Sequence, residues 1–194
     1  IDGYTTGLNN YIKIYTPNNT SAEVNQNQRH EGKWDDSKYS LVVTSTTISD
    51  FSCIDVRDDD VYIDGLQLQN NKTVSGGGFG INLSYHANTY NIKISNNIIR
   101  GPDSLPTDEH RYGIFTLASS AERTFKVWNN IIYDWGKFSN KQRGMSLYRN
   151  GSMHNTYIYA YNNTVYNSYI GFYTGEGNTI YLKNNIFYDC NIPV

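Results

Sequence analysis

The chain has 194 residues and a formal net charge of -2 at pH 7, which fits a single domain and excludes the basic surface that general nucleic-acid binding requires. It contains 25 asparagines and 18 tyrosines, residue types that favour turns and half-exposed strands over a helical bundle. No apolar run approaches the length of a membrane-spanning helix, so the sequence predicts no membrane span.

The first predicted strand lies in "YIKIYTP", where apolar and polar residues alternate from Ile12 to Ile14. The next copy of this pattern starts at Val61, 49 residues further along the chain. We therefore expect an irregular insertion around residues 17–40, inside a single domain that spans residues 1–194.

A motif with two adjacent asparagines recurs after this point. It appears as "NIKISNNIIRG", "FKVWNNIIYDWG", "IYAYNNTVYNS" and "IYLKNNIFYDC", and "VYIDGLQLQN" fits the same frame with Leu66 in place of the second asparagine. The residues before each pair alternate apolar and polar, which predicts a strand. The second asparagines of the four copies are Asn97, Asn130, Asn163 and Asn185.

A second motif, glycine followed by an apolar residue, interleaves with the first. It begins at Gly80, Gly113, Gly144 and Gly171. Two recurring strands that share one period predict a stacked solenoid, because a single strand pair cannot bury its apolar face. Equivalent asparagines then lie above one another and can form a hydrogen-bonded ladder, and asparagine also tolerates the left-handed backbone of a tight corner.

These asparagine corners resemble those of the right-handed parallel β-helix superfamily, the pectate-lyase-like folds. The resemblance implies an all-β, right-handed, single-stranded parallel β-helix of about five to six coils with Asn-ladder turns. It implies no single activity, because this fold carries lyases, hydrolases, phage tailspikes and adhesins. We also expect a fragment of a longer chain, whose further domains or subunits cover the open solenoid ends.

The stacking predicts that Cys53 and Cys190 form no disulfide. About four coil steps of about 4.8 Å separate them, which exceeds the Cα separation that a disulfide bridges.

Most candidate site residues lie in or near the glycine strands and the long segments before them, and Lys126 lies on an asparagine-motif strand. A lyase acting on an acidic polysaccharide needs a cation to hold the uronate and a base to take the C5 proton. The candidates for these catalytic roles are His110, Arg111, Lys126 and Arg143. The candidates for substrate binding are Phe115, Tyr148, Arg149, Tyr173 and Glu176, because aromatic faces suit sugar rings and charged groups suit their substituents.

The short motifs of the pectin hydrolases of this superfamily, N-T-D, D-D, G-H and R-I-K, are represented here only by "DDD" at 58–60. That triplet precedes a strand and is typical of a turn. The sequence predicts neither a metal site nor a cofactor.

The outward positions of the asparagine-motif strands carry lysine and tyrosine. They are Lys13, Tyr62, Lys93, Lys126, Tyr159 and Tyr181. This row is either a flat platform for polysaccharide or an ordinary exposed sheet surface, where both residue types are common.

The sequence therefore predicts an extracellular or cell-surface β-helix module that engages polysaccharide. A lyase or hydrolase acting on an acidic polysaccharide is the first alternative. A structural stalk or filament subunit is the second.

Overall fold

The computed structural model describes residues 1–46, 50–72, 74–83, 90–103, 109–118, 122–149 and 156–194, with only the backbone described at residues 90, 118 and 149. These residues form strands and no α-helix, and none of their elements is a helix long and apolar enough to cross a bilayer. The strands are β1 Ile12–Tyr15, β2 Leu41–Val43, β3 Phe51–Asp55, β4 Val61–Asp64, β5 Gln67–Asn70, β6 Gly78–Asn82, β7 Tyr90–Ser95, β8 Ile98–Arg100, β9 Arg111–Ala118, β10 Arg123–Trp128, β11 Ile131–Gly136, β12 Gln142–Arg149, β13 Thr156–Tyr161, β14 Thr164–Thr174, β15 Asn178–Lys183 and β16 Ile186–Ile192.

The strands stack as a parallel β-solenoid with three faces. The first face is the sheet β1-β4-β7-β10-β13-β15. The second face runs β2-β5-β8-β11 into the first half of β14, and the third runs β3-β6-β9-β12 into its second half. Every pairing between these strands is parallel, which confirms the predicted all-β solenoid. The right-handed winding and the number of complete coils stay predictions.

The core is built from the inward residues of stacked strands. On the first face, Phe125 lies in register with Ile92 on one side and Ile158 on the other, and all three are almost fully buried. Lys93 and Lys126, the residues that follow two of them, are exposed. The predicted alternation of faces is therefore confirmed, and the apolar columns it creates are the main source of burial energy.

The asparagine ladder at the corner between the first and second faces is confirmed. The Oδ1 atom of Asn130 accepts hydrogen bonds from the backbone N–H and the Nδ2 group of Asn97, both at 3.0 Å. The Oδ1 atom of Asn163 accepts the same two bonds from Asn130, and Oδ1 of Asn185 accepts them from Asn163. At the early end of the ladder Asn97 accepts from the N–H of Leu66 at 2.9 Å.

The first asparagine of each pair supplies the left-handed turn. Asn96, Asn129, Asn162 and Asn184 have φ between 54° and 56°, and Gly65 occupies the matching place in an earlier corner with φ of 76°. The two asparagines therefore have separate tasks. The first bends the chain, and the second forms the buried hydrogen-bonded ladder.

The glycine column marks where the third face packs directly against the second. A Cβ atom on Gly113 would overlap Cγ2 of Ile132 and lie 2.5 Å from the carbonyl oxygen of Gly144. Gly80 and Gly144 are similarly enclosed. Glycine recurs at this position because a side chain has no room there.

The segment at residues 17–40 contains no strand and packs on the asparagine corner. Arg29 donates two hydrogen bonds to the Asp64 carboxylate, at 2.8 and 3.0 Å, and His30 Nε2 lies 2.8 Å from the carbonyl oxygen of Asn96. Burial alone raises the pKa of Asp64, but hydrogen bonds from Arg29, Asn96 and Ser95 outweigh it and hold that pKa below its usual range.

Candidate functional site

The third face carries a groove of about 830 Å³ on its outer surface. Its volume lies in the range typical of ligand sites. The groove crosses β3, β6, β9, β12 and the end of β14, so stacked strands form its floor. It is lined by Asp50, Phe51, Ser52, Asp55, Arg57, Gly77, Phe79, Asn82, His110, Tyr112, Phe115, Leu117, Arg143, Tyr148 and Tyr173.

One part of the floor is a cluster of three aromatic rings. The rings of Tyr112 and Phe115 are stacked with centroids 4.7 Å apart and an interplanar angle of 10°. Phe79 stacks on Phe115 at 5.0 Å. Stacking of this kind holds the rings in fixed positions.

Arg143 connects this cluster to a second aromatic pair. Tyr148 and Tyr173 lie 5.8 Å apart, and the guanidinium carbon of Arg143 lies 3.7 Å from the Tyr173 ring centroid and 5.4 Å from that of Tyr112. Arg143 also donates to Ser146 Oγ at 3.1 Å. Its charge is therefore held by two rings and a hydroxyl group within the groove.

His110 stands beside Tyr112 at the edge of the groove. Its Nδ1 atom is hydrogen bonded to the Tyr112 hydroxyl. Partial burial, then the positive charges of Lys141 and Arg143, lower the pKa of His110. The imidazole is therefore neutral at pH 7, whereas burial raises the pKa of Tyr112 and keeps its hydroxyl protonated.

Two carboxylates line the groove near β3. Asp50 accepts a hydrogen bond from the Gly77 N–H at 2.7 Å, and Asp55 bonds to Arg57 at 2.9 Å. They are five positions apart, which corresponds to about 16 Å along a strand, beyond the roughly 10 Å that the carboxylate pair of a glycoside hydrolase spans. Across the described residues, no three His, Cys, Asp or Glu side chains come together as a metal site.

The structure separates the four predicted catalytic residues. Arg143 and His110 line the groove. Arg111 is fully buried, and its guanidinium group donates to the carbonyl oxygens of Gly76 and Val74. Lys126 lies on the first face, in β10. These four residues therefore do not form one catalytic site.

The predicted substrate-binding residues divide similarly. Phe115, Tyr148 and Tyr173 line the groove. Glu176 is exposed in the turn after β14, away from the groove lining. The side chain of Arg149 is outside the described part of the chain.

Sequence reasoning missed Phe79 and Tyr112, although each immediately precedes a repeated glycine. Strict alternation from the outward residue Asn82 places Phe79 on the inner side. Phe79 and Asn82, three positions apart, both line the groove, whereas Ile81 is in the core. The alternation is therefore interrupted at the glycine. The aromatic residue directly before the glycine was the sequence signal that could have identified these two groove residues.

Both cysteines are free thiols. Burial raises the pKa of Cys53 to about 12.

No family model, no curated protein and no solved structure matches this chain. Its function therefore has to be inferred from the geometry of the groove.

Proposed function

We propose that the protein is an extracellular or cell-surface β-helix module, of the pectate-lyase-like kind, that binds polysaccharide in the groove of the third face. The observation that carries this proposal is the aromatic floor with Arg143 held between Tyr112 and Tyr173. A rigid floor of this kind binds without losing much side-chain entropy.

The chemistry of the groove suits a sugar chain. Aromatic faces pack against the C–H faces of sugar rings, and the polar rim can bond to hydroxyl groups. Arg143 adds a cation for a carboxylate or sulfate substituent. An extracellular or surface location follows from this ligand, because structural polysaccharides lie outside the membrane.

The test is affinity electrophoresis through gels that contain individual polysaccharides, with the double variant Tyr148→Ala/Tyr173→Ala. Loss of these two groove rings should weaken binding at least about tenfold, as removal of central aromatic contacts does at other interfaces.

The control is Tyr166→Ala/Tyr188→Ala. It removes a stacked tyrosine pair of similar geometry, with centroids 5.7 Å apart, from the second face. Equal retardation of both double variants, or no retardation of the wild-type protein by any polysaccharide, would contradict the proposal.

A second candidate function, a polysaccharide lyase, is favoured by the position of His110 beside Tyr112 and near Arg143. In a β-elimination, a neutral base takes the C5 proton of a uronate, the C4–C5 double bond forms, and the C4–O bond breaks as the leaving oxygen gains a proton. His110 is the candidate base and Arg143 the candidate partner for the uronate carboxylate.

The product carries an unsaturated uronate that absorbs in the ultraviolet. An absorbance increase with polygalacturonate that disappears in His110→Ala but persists in His30→Ala supports the lyase. Retardation in the gel without any absorbance change would show that the protein binds the polysaccharide but does not cleave it.

A further inference from the structure

The first face carries a column of lysine and tyrosine side chains outside the groove. Strand register aligns Lys13 with Tyr62, Tyr62 with Lys93, Lys93 with Lys126, and Lys126 with Tyr159. Parallel strands lie about 4.8 Å apart, so the column from Lys13 to Tyr159 is about 19 Å long. It runs along the stacking direction.

Two adjoining hollows follow this column. One, of about 560 Å³, is lined by Lys126, Trp128, Tyr159 and Tyr161 together with Asn91 and Thr124. The other, of about 100 Å³, also includes Lys126 and Asn91, and continues past Lys93. The two hollows share Asn91 and Lys126, so they lie next to each other on the first face.

The lysines of the column are not paired with carboxylates, although Asp60 lines the smaller hollow, where it accepts a hydrogen bond from Asn91 Nδ2 at 3.2 Å. Lys93 and Lys126 are directly opposite on neighbouring strands, an arrangement that is unfavourable for like charges. Within the described part of the chain neither lysine has an ion pair. Asp64, on the same face, is already bound by Arg29.

Aromatic rings border the same lysines. Lys126 Nζ lies 6.0 Å from the Tyr159 ring centroid, and Tyr159 stacks on Tyr181 at 4.8 Å with an interplanar angle of 5°. Further along, Tyr62 and Trp128 stack at 5.9 Å. Rings therefore lie on both sides of the Lys93–Lys126 pair, on a chain of net charge -2.

We propose that the first face is a second binding surface, which takes an extended acidic polysaccharide along the stacking direction. Carboxylate or sulfate groups would neutralise Lys93 and Lys126, and sugar rings would pack on Trp128 and Tyr159. This surface is separate from the groove and does not depend on the function proposed for it.

The test uses the protein with the groove disabled by Tyr148→Ala/Tyr173→Ala. Polygalacturonate supplies carboxylates, dextran sulfate supplies sulfates, and neutral dextran and single-stranded DNA are the comparison polymers. Dissociation constants are measured at low salt and in 1 M NaCl, where the Debye length falls to about 3 Å.

We expect this protein to retain binding to at least one acidic polysaccharide at low salt and to lose it in 1 M NaCl. Adding Lys93→Gln/Lys126→Gln should raise the dissociation constant at least about fivefold, the factor that corresponds to about 1 kcal/mol. The matched control is Lys33→Gln/Lys137→Gln, which changes the net charge equally but removes no lysine of the column.

Three results would overturn the inference. The first is that the groove-disabled protein binds neither acidic polysaccharide. The second is that the control variant weakens binding as much as Lys93→Gln/Lys126→Gln does. The third is that single-stranded DNA binds as tightly as the polysaccharides. Failure of the groove proposal gives a different result, because the Tyr148→Ala/Tyr173→Ala variant then binds every polysaccharide as tightly as the wild-type protein does.

Discussion

Replacing Asn130 by alanine tests the claim that the asparagine ladder stabilises the solenoid. The Asn130 side chain is fully buried. Its Nδ2 group donates to the carbonyl oxygens of Ile94 and Trp128 and to Oδ1 of Asn163, each at 3.0 Å. Its Oδ1 atom is the acceptor for the backbone N–H of Asn97.

The alanine variant loses all of these hydrogen bonds without any replacement. A buried N–H left without an acceptor costs about 1–3 kcal/mol, and each other lost bond costs roughly 0.5–1.5 kcal/mol. We expect Asn130→Ala to lower the free energy of unfolding by about 3–5 kcal/mol, a large share of the about 5–15 kcal/mol that stabilises a typical domain.

The measurement is urea unfolding followed by tryptophan fluorescence, with midpoint and slope reported separately because stacked repeats need not unfold in one step. The control is Asn129→Gly in the same corner. Asn129 is exposed and left-handed, and glycine accepts that backbone, so the cost should stay below about 1 kcal/mol. If Asn130→Ala costs no more than Asn129→Gly, the ladder does not stabilise the fold in this way.

Three further predictions concern packing, acid stability and thiol reactivity. Gly113→Ala should cost at least about 1–3 kcal/mol in urea unfolding through overpacking, whereas Gly7→Ala, with open space at its Cβ position, should change little. The Asp64 carboxylate contributes to the free energy of unfolding above its unfolded-state pKa of about 4, and this contribution is lost as the pH falls through its lower folded-state pKa. Below about pH 4, the free energy of unfolding should therefore fall less steeply in Asp64→Asn than in the wild-type chain. Because burial raises the pKa of Cys53 to about 12, a thiol reagent at pH 8 should modify the half-buried Cys53 more slowly in the folded protein than in urea. Equal rates in both states would contradict this prediction.

The asparagine corners were predictable because their chemistry is local and repeated. A two-residue motif at a fixed period gives both the turn and the column, so the register of Asn97, Asn130 and Asn163 follows from counting. The strands β2 and β3 were not predictable in the same way, because they lack the repeated asparagine and glycine. Their place is set by pairing with β5 and β6.

The groove was only partly predictable, because it depends on how the chain passes the repeated glycine. Phe115, Tyr148 and Tyr173 follow from counting outward positions after that glycine. Tyr112 does not, because it precedes the glycine and strict alternation assigns it to the wrong side. Arg111 and Lys126 were wrongly assigned to the site, because Arg111 is buried and Lys126 lies on the first face. The sequence alone does not show whether a charged residue is buried or on which face it lies.

Stacking also explains why one fold can carry two different surfaces. The inward positions and the glycine column are constrained by close packing, as the enclosed Cβ positions of Gly113 and Gly144 show. The outward positions tolerate more varied residues, since the column that begins at Ser52 continues as Phe79, Tyr112, Arg143 and Ile170. Each outward residue can therefore change the chemistry of its face while the packing beneath it stays the same. On the third face this variation places a guanidinium group between aromatic rings, and on the first face it places lysines between them.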